Sequence, residues 1–219
     1  MTDDLTAPAG IVLVMHGGRE ASTEPTSALQ LAVLRMIPLT RAIAAAVRGS
    51  GVEVRRPRFR VRGWNGAQAS PVADLGLLLD EIRTRYEDVP VALVGHSMGG
   101  RAVLRAAGHP SVRAVAGLAS WVPAGEPVAQ LAGRRVLLVH GSADTLTRPG
   151  DTWAYAERAR AVCPVTALEV LGGDHPMIRR AGLWHALAAE FVRSSFGLAP
   201  SGATTIPVPT CEPGRVTLT

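Results

Sequence analysis

Val91-Ala92-Leu93-Val94-Gly95-His96-Ser97-Met98-Gly99-Gly100 is an apolar run of strand length that enters Gly-x-Ser-x-Gly without a break. The residues after it, Arg101 to Ala107, have helix-forming composition. A strand feeding a helix through so tight a turn forces Ser97 into strained backbone geometry. Only small residues fit two positions to either side, which accounts for Gly95 and Gly99. The turn lifts the Ser97 hydroxyl clear of the sheet edge, and the helix aims its first free amides, that of Met98 foremost, into the same space. The reading is a nucleophile elbow with half of an oxyanion hole. The same pentapeptide also arises by chance in a chain with 23 glycines, so the reading needs partners elsewhere.

The chain of 219 residues, 47% of them hydrophobic, suits one well-packed α/β domain over residues 10–197, after a polar lead at 1–9. Residues 198–219, rich in Pro, Thr, Ser and Gly without periodicity, read as a disordered tail. Met1-Thr2-Asp3-Asp4 is not a basic, apolar leader, and no apolar run approaches the ~20 residues of a bilayer span, so a cytoplasmic location is expected. Cys163 and Cys211 form no disulfide framework. The net charge of +5 rests on arginine alone, scattered except at Arg55, Arg56, Arg58, Arg60 and Arg62, with no aromatic stacking platform among them. Nucleic-acid binding is therefore not expected.

Working outward from the central stretch, Ile11–Met15 reads as a strand buried on both faces, ending in His16-Gly17-Gly18. A second oxyanion donor belongs there, from Gly17 or, preferably, Gly18. Thr26 to Val47 has helical spacing interrupted at Pro38. Val52 to Val61 is read as an edge strand, its charged face formed by alternating arginines and Pro57 sparing a ladder donor. Pro71 opens a helix to Tyr86, and Val112–Leu118 is a strand leading to Trp121. Arg135–Val139 ends in His140-Gly141-Ser142-Ala143-Asp144, and a helix follows from Pro149. Val165–Leu171, the last strand, leads to Gly172-Gly173-Asp174-His175 and a final helix ending by Gly197.

Such alternation calls for a mainly parallel sheet with helices on both faces, every post-strand loop opening at one edge. Ser97, Asp144 and His175 each lie in such a loop. A serine hydroxyl needs a base to take its proton, imidazole suits that task near neutral pH, and a carboxylate must fix the imidazole's tautomer. His16, His96, His109, His140 and His185 are weaker candidates for the base; Asp174 and, remotely, Glu126 are weaker candidates for the acid. Trp64, Asn65, His96 and Trp121 are candidates for contact with substrate. No Cys/His/carboxylate cluster has metal-ligand spacing, so no metal or cofactor is expected.

His16-Gly17-Gly18, Gly95 to Gly100, His140 to Asp144 and Gly173-Asp174-His175 together resemble the α/β-hydrolase fold superfamily over about residues 10–196. The resemblance implies a serine hydrolase with Ser97, Asp144 and His175 as its triad, Met98, Gly18 and Gly17 around the oxyanion, and a small-molecule acyl substrate. Two departures mark this chain: the two leading antiparallel strands of larger members are missing, and residues 118–135 leave no room for a substantial lid. A small esterase for short acyl groups is the expectation. A thioesterase, acyltransferase or perhydrolase with the same triad, or a non-catalytic ligand-binding protein, remain the alternatives.

Overall fold

The computed structural model describes residues 7–202 and 216–218. Seven strands form one sheet: β1 (Gly10–Met15), β2 (Val52–Arg55), β3 (Val91–His96), β4 (Val112–Leu118), β5 (Arg135–Gly141), β6 (Val165–Val170) and β7 (Val216–Leu218). Their order is β2-β1-β3-β4-β5-β6-β7, and every pair is parallel.

The central strands lack apolar–polar alternation because both of their faces are buried. Ile11, Leu13, Val91, Leu93, Val136 and Leu138 face a layer made by α3 (Ser70–Tyr86), α4 (Met98–Ala106) and α5 (Pro149–Ala159). Val12, Val14, Ala92, Val94, Leu137 and Val139 face α2 (Met36–Ala46) and α6 (Ala181–Ser195). Met15 pairs with Gly95, His96 with Leu118, Leu118 with Val139, and Gly141 with Val170. The five strand ends therefore finish level, and the loops that follow them share one rim.

Three local readings change. The arginine-rich strand stops at Arg55 rather than Val61, although β2 does lie at the sheet edge. Beyond it the chain folds onto residues 19–26, with Val61 bridging Pro25 and Gly63 bridging Arg19. The arginine row is not one charged face: Arg60 pairs with Asp74 at 2.5 Å, Arg62 with Glu24 at 2.6 Å, and Phe59, between Arg58 and Arg60, is buried. The helix break falls at Arg35, between α1 (Leu31–Leu34) and α2, not at Pro38. Pro38 sits in the first turn of α2, where its missing N–H costs nothing within that helix; the bond it cannot make is the one back to Leu34, which is where α1 stops. Finally, Val216–Leu218 of the expected disordered tail is strand β7, paired with Leu168–Val170. Residues 203–215 and 219, including Cys211, lie outside the described residues, as does most of the polar lead.

Candidate active site

The loop after β3 is the elbow. Ser97 has φ +56° and ψ −121°, a conformation that L-residues avoid. Its amide donates to the Leu118 carbonyl at 3.0 Å, and its carbonyl accepts from Arg101 and Trp121 amides, each at 3.2 Å. Those bonds fix the turn from β4 and from the helix it opens. A Cβ at Gly95 would come within 2.2 Å of the Gly99 carbonyl oxygen, and one at Gly99 within 2.4 Å of the His16 carbonyl oxygen. The two glycines thus let the helix lie flat on the strand ends, leaving Ser97 9% exposed.

The loops after β5 and β6 are stitched together. Ser142 N–H donates to the Val170 carbonyl at 3.0 Å, Ala143 N–H to the Gly173 carbonyl at 3.0 Å, and Gly172 N–H to Ser142 Oγ at 2.8 Å. At Gly141 a Cβ would lie 2.2 Å from the Gly173 oxygen. This crossing brings two side chains 31 residues apart into contact: His175 Nδ1 lies 2.8 Å from Asp144 Oδ2. On its other side, His175 Nε2 lies 3.0 Å from Ser97 Oγ, across 78 residues of sequence. All three residues are buried.

Asp144 is held from several directions. Oδ1 accepts from the amides of Leu146 at 2.8 Å and Thr147 at 3.0 Å. Oδ2 receives the Thr147 hydroxyl at 2.8 Å and faces His140 Nε2 at 3.0 Å as well as His175. Burial alone would raise its pKa, but the hydrogen bonds from His140, His175 and the Thr147 amide outweigh that and hold the carboxyl far below its usual range. His140 in turn has Nδ1 2.7 Å from Thr152 Oγ1, so its Nε2–H is the one directed at the carboxylate. The sequence reading passed over His140 and Thr147 in this role; the i, i+4 spacing of His140 and Asp144 across a tight turn was the available signal.

Of the remaining histidines, His109 lies against Asp80 and the Ser111 amide, each at 3.2 Å, and His96 and His16 are held within the rim. His96 donates from Nε2 to the His175 carbonyl at 2.8 Å, its ring 4.9 Å from the His175 ring, while Nδ1 has no partner among the described residues. Burial first, then the neighbouring His175 and Arg35, lower its pKa to about 3, so it stays neutral. His16 donates from Nδ1 to the Gly17 carbonyl at 2.7 Å and accepts at Nε2 from the Phe59 amide at 3.2 Å. Because the Gly17 carbonyl points toward His16, the Gly18 N–H of the same peptide points the opposite way. Gly17 lies against the elbow, a Cβ there falling 3.2 Å from Ser97 Cβ. Gly18 lies against Met98, a Cβ there falling 2.4 Å from the Met98 methyl. Neither Gly18 N–H nor Met98 N–H donates to a backbone carbonyl among the described residues.

Trp64, Asn65 and His96, expected to meet substrate, are committed internally. The Asn65 amide bonds Ser22, Gly63 and Ser70. Trp64, 3% exposed, packs edge to face with Trp121, and the Arg101 guanidinium lies 3.8 Å from one indole and 4.6 Å from the other. Arg101 and Arg105 both pair with the buried Glu126, which places that carboxylate with the cations of α4 and away from His175. Asp174 does not partner His175 either: its Oδ1 accepts from the Ile178 and Arg179 amides at 2.9 Å each. Trp121 is half-buried, its amide bonded to the Ser97 carbonyl. Among the described residues no three His, Cys, Asp or Glu side chains are grouped to hold a metal ion, and no helix is long and apolar enough to cross a membrane.

A parallel sheet with a strained serine at a β-to-α turn, beside a histidine and an aspartate on neighbouring loops, defines the α/β serine hydrolases. The model of the serine aminopeptidase S33 family matches residues 6–135, more than half of the chain, and the protein belongs to that family. No curated protein matches the sequence. Solved structures share the fold at low identity. An α/β serine hydrolase homologue from Coxiella burnetii is 17% identical over 84% of this chain and 85% of its own, with a TM-score of 0.62. An α/β serine hydrolase without a lid from Xanthomonas campestris is 21% identical over 90% and 87%, also at 0.62. A structure described as an arylesterase is 14% identical over 86% and 76%, at 0.64.

Proposed function

We propose that the protein is an esterase that cleaves carboxylic esters with small or short-chain acyl groups through an acyl-enzyme. The observation that carries this reading is the continuous line Ser97 Oγ, His175 Nε2 at 3.0 Å, His175 Nδ1, Asp144 Oδ2 at 2.8 Å. His175 takes the Ser97 proton as Oγ attacks the ester carbonyl, and Asp144 fixes the tautomer and balances the imidazolium. The amides of Met98 and Gly18, with Gly17 beside them, receive the oxyanion; one such donor is worth roughly 10²–10³ in rate. The alcohol leaves with the proton from His175. Water, deprotonated by the same imidazole, then releases the acid and restores Ser97.

An ester needs no counter-charge for an ammonium group, whereas a peptide with a free amino terminus would have to use the exposed Glu20, since Asp144, Asp174 and Glu126 are engaged as described. A solved structure of like fold is named an arylesterase. The test is a fluorophosphonate probe followed by p-nitrophenyl esters from acetate to palmitate, with acyl-thioesters alongside. Labelling of wild type but not of Ser97→Ala, with the highest kcat/KM at short chains and a loss of about 10³-fold or more in Ser97→Ala, supports the reading. An unlabelled wild type favours a ligand-binding protein, a preference for thioesters favours a thioesterase, and an optimum above ten carbons removes the short-chain assignment.

A further inference from the structure

Directly after His175 the chain turns sharply, with Met177 at φ +57° and Asp174 capping the turn. One wall of an open groove of about 400 Å³ is formed by Pro176, Met177 and Ile178, and the opposite wall by Leu31, Leu34 and Arg35 at the break between α1 and α2. The groove is apolar and wet: Leu31 is 77% and Ile178 71% exposed. Aliphatic side chains left in water on the segment that directly follows His175 call for an apolar occupant.

Charge specifies the occupant further. Arg35 is half-buried, and its guanidinium makes no hydrogen bond or ion pair among the described residues. Burial lowers its pKa and the more distant Asp174 offsets only part of that. Its charge is also felt at His96, which stacks against the base. His185, the other ionisable group on the groove wall, is lowered by burial and is neutral above its ordinary range, so Arg35 is the wall's charge. A desolvated, unpaired guanidinium at the edge of an apolar groove is completed by a planar anion that accepts two parallel N–H bonds. Asp174 already offsets part of the Arg35 charge, so a monoanionic carboxylate suits the site better than a dianionic phosphate.

On the reading of the site as an esterase, we infer that its substrates are anionic esters whose aliphatic acyl segment lies in the groove between Leu34 and Ile178 and carries a carboxylate that pairs with Arg35. Arg35 is then a specificity-determining residue. The full-length Ser97→Ala protein, which does not turn over ester, is titrated by calorimetry with monomethyl succinate, adipate and suberate and with the matching dimethyl esters. At the best-fitting length the monoanion is expected to bind about tenfold tighter or more than its neutral counterpart. Adding Arg35→Gln is expected to close that gap, and adding Ile178→Asp at the exposed rim to weaken the monoanion most. Absence of binding, equal binding of the two series, or a preference that survives Arg35→Gln overturns the inference. Labelling of wild-type Ser97 by the fluorophosphonate separates the two levels: labelling without carboxylate preference leaves the esterase and removes the groove assignment, and preference without labelling does the reverse.

Discussion

His140 Nε2 lies 3.0 Å from the Asp144 oxygen that His175 Nδ1 approaches to 2.8 Å. One carboxylate oxygen therefore serves two imidazoles, of which only one reaches Ser97. The second fixes the rotamer of the carboxylate and with it the direction from which Asp144 meets His175.

Replacing His140 with Ala removes that second donor. We expect kcat on a p-nitrophenyl ester to fall about tenfold from looser positioning, with KM little changed. Thr152→Val, which removes the partner of His140 Nδ1, should lower kcat in the same way by less. A normal rate in both variants would assign His140 to packing.

His96 makes stability depend on pH. Burial, His175 and Arg35 lower its folded pKa to about 3, below the unfolded value of about 6.5. The unfolded chain thus binds the extra proton first, so stability is complete above pH 6.5 and is lost as pH falls from there toward 3, at up to ~1.4 kcal/mol per pH unit. His16 and His185, lowered chiefly by burial, add in the same direction. Urea unfolding of wild type and His96→Gln at pH 7, 6, 5 and 4 should show a shallower loss in the variant; parallel curves would mean that His96 is not the titrating group.

Glycine substitutions separate close approach from helix propensity. A Cβ at Gly95 meets the Gly99 carbonyl at 2.2 Å, backbone against backbone, whereas Gly76 in α3 has nothing within 4 Å. Gly95→Ala is expected to cost about 3 kcal/mol and Gly76→Ala to add about 0.5–1 kcal/mol in urea unfolding. Equal effects at the two positions would contradict the packing at the elbow.

The elements buried on both faces were the legible ones: Ile11–Met15, Val91–His96 and Arg135–Gly141 are runs too apolar to be anything but interior, and the loops after them had to share an edge. Ser97, Asp144 and His175 followed from that placement. What escaped depends on tertiary partners. The alternating arginines between Arg56 and Arg62 imitate strand periodicity, yet Asp74, Glu24 and the His16 ring claim them or their neighbours one by one. Val216-Thr217-Leu218 is too short to declare itself and becomes a strand only against Leu168–Val170. Trp64 and Asn65 sit in a rim loop as expected, but Arg101 and Ser22 bind them internally, contacts that no spacing encodes.

Glu126, gripping Arg101 and Arg105 one turn apart on the helix that starts at Ser97, also receives Arg158 of α5 on its carbonyl at 2.7 Å. The segment after β4 is in this way riveted to two helices. The Trp121 indole, with the Arg101 guanidinium of the same network against it, therefore takes its position from the two helices and not from the loop that carries it.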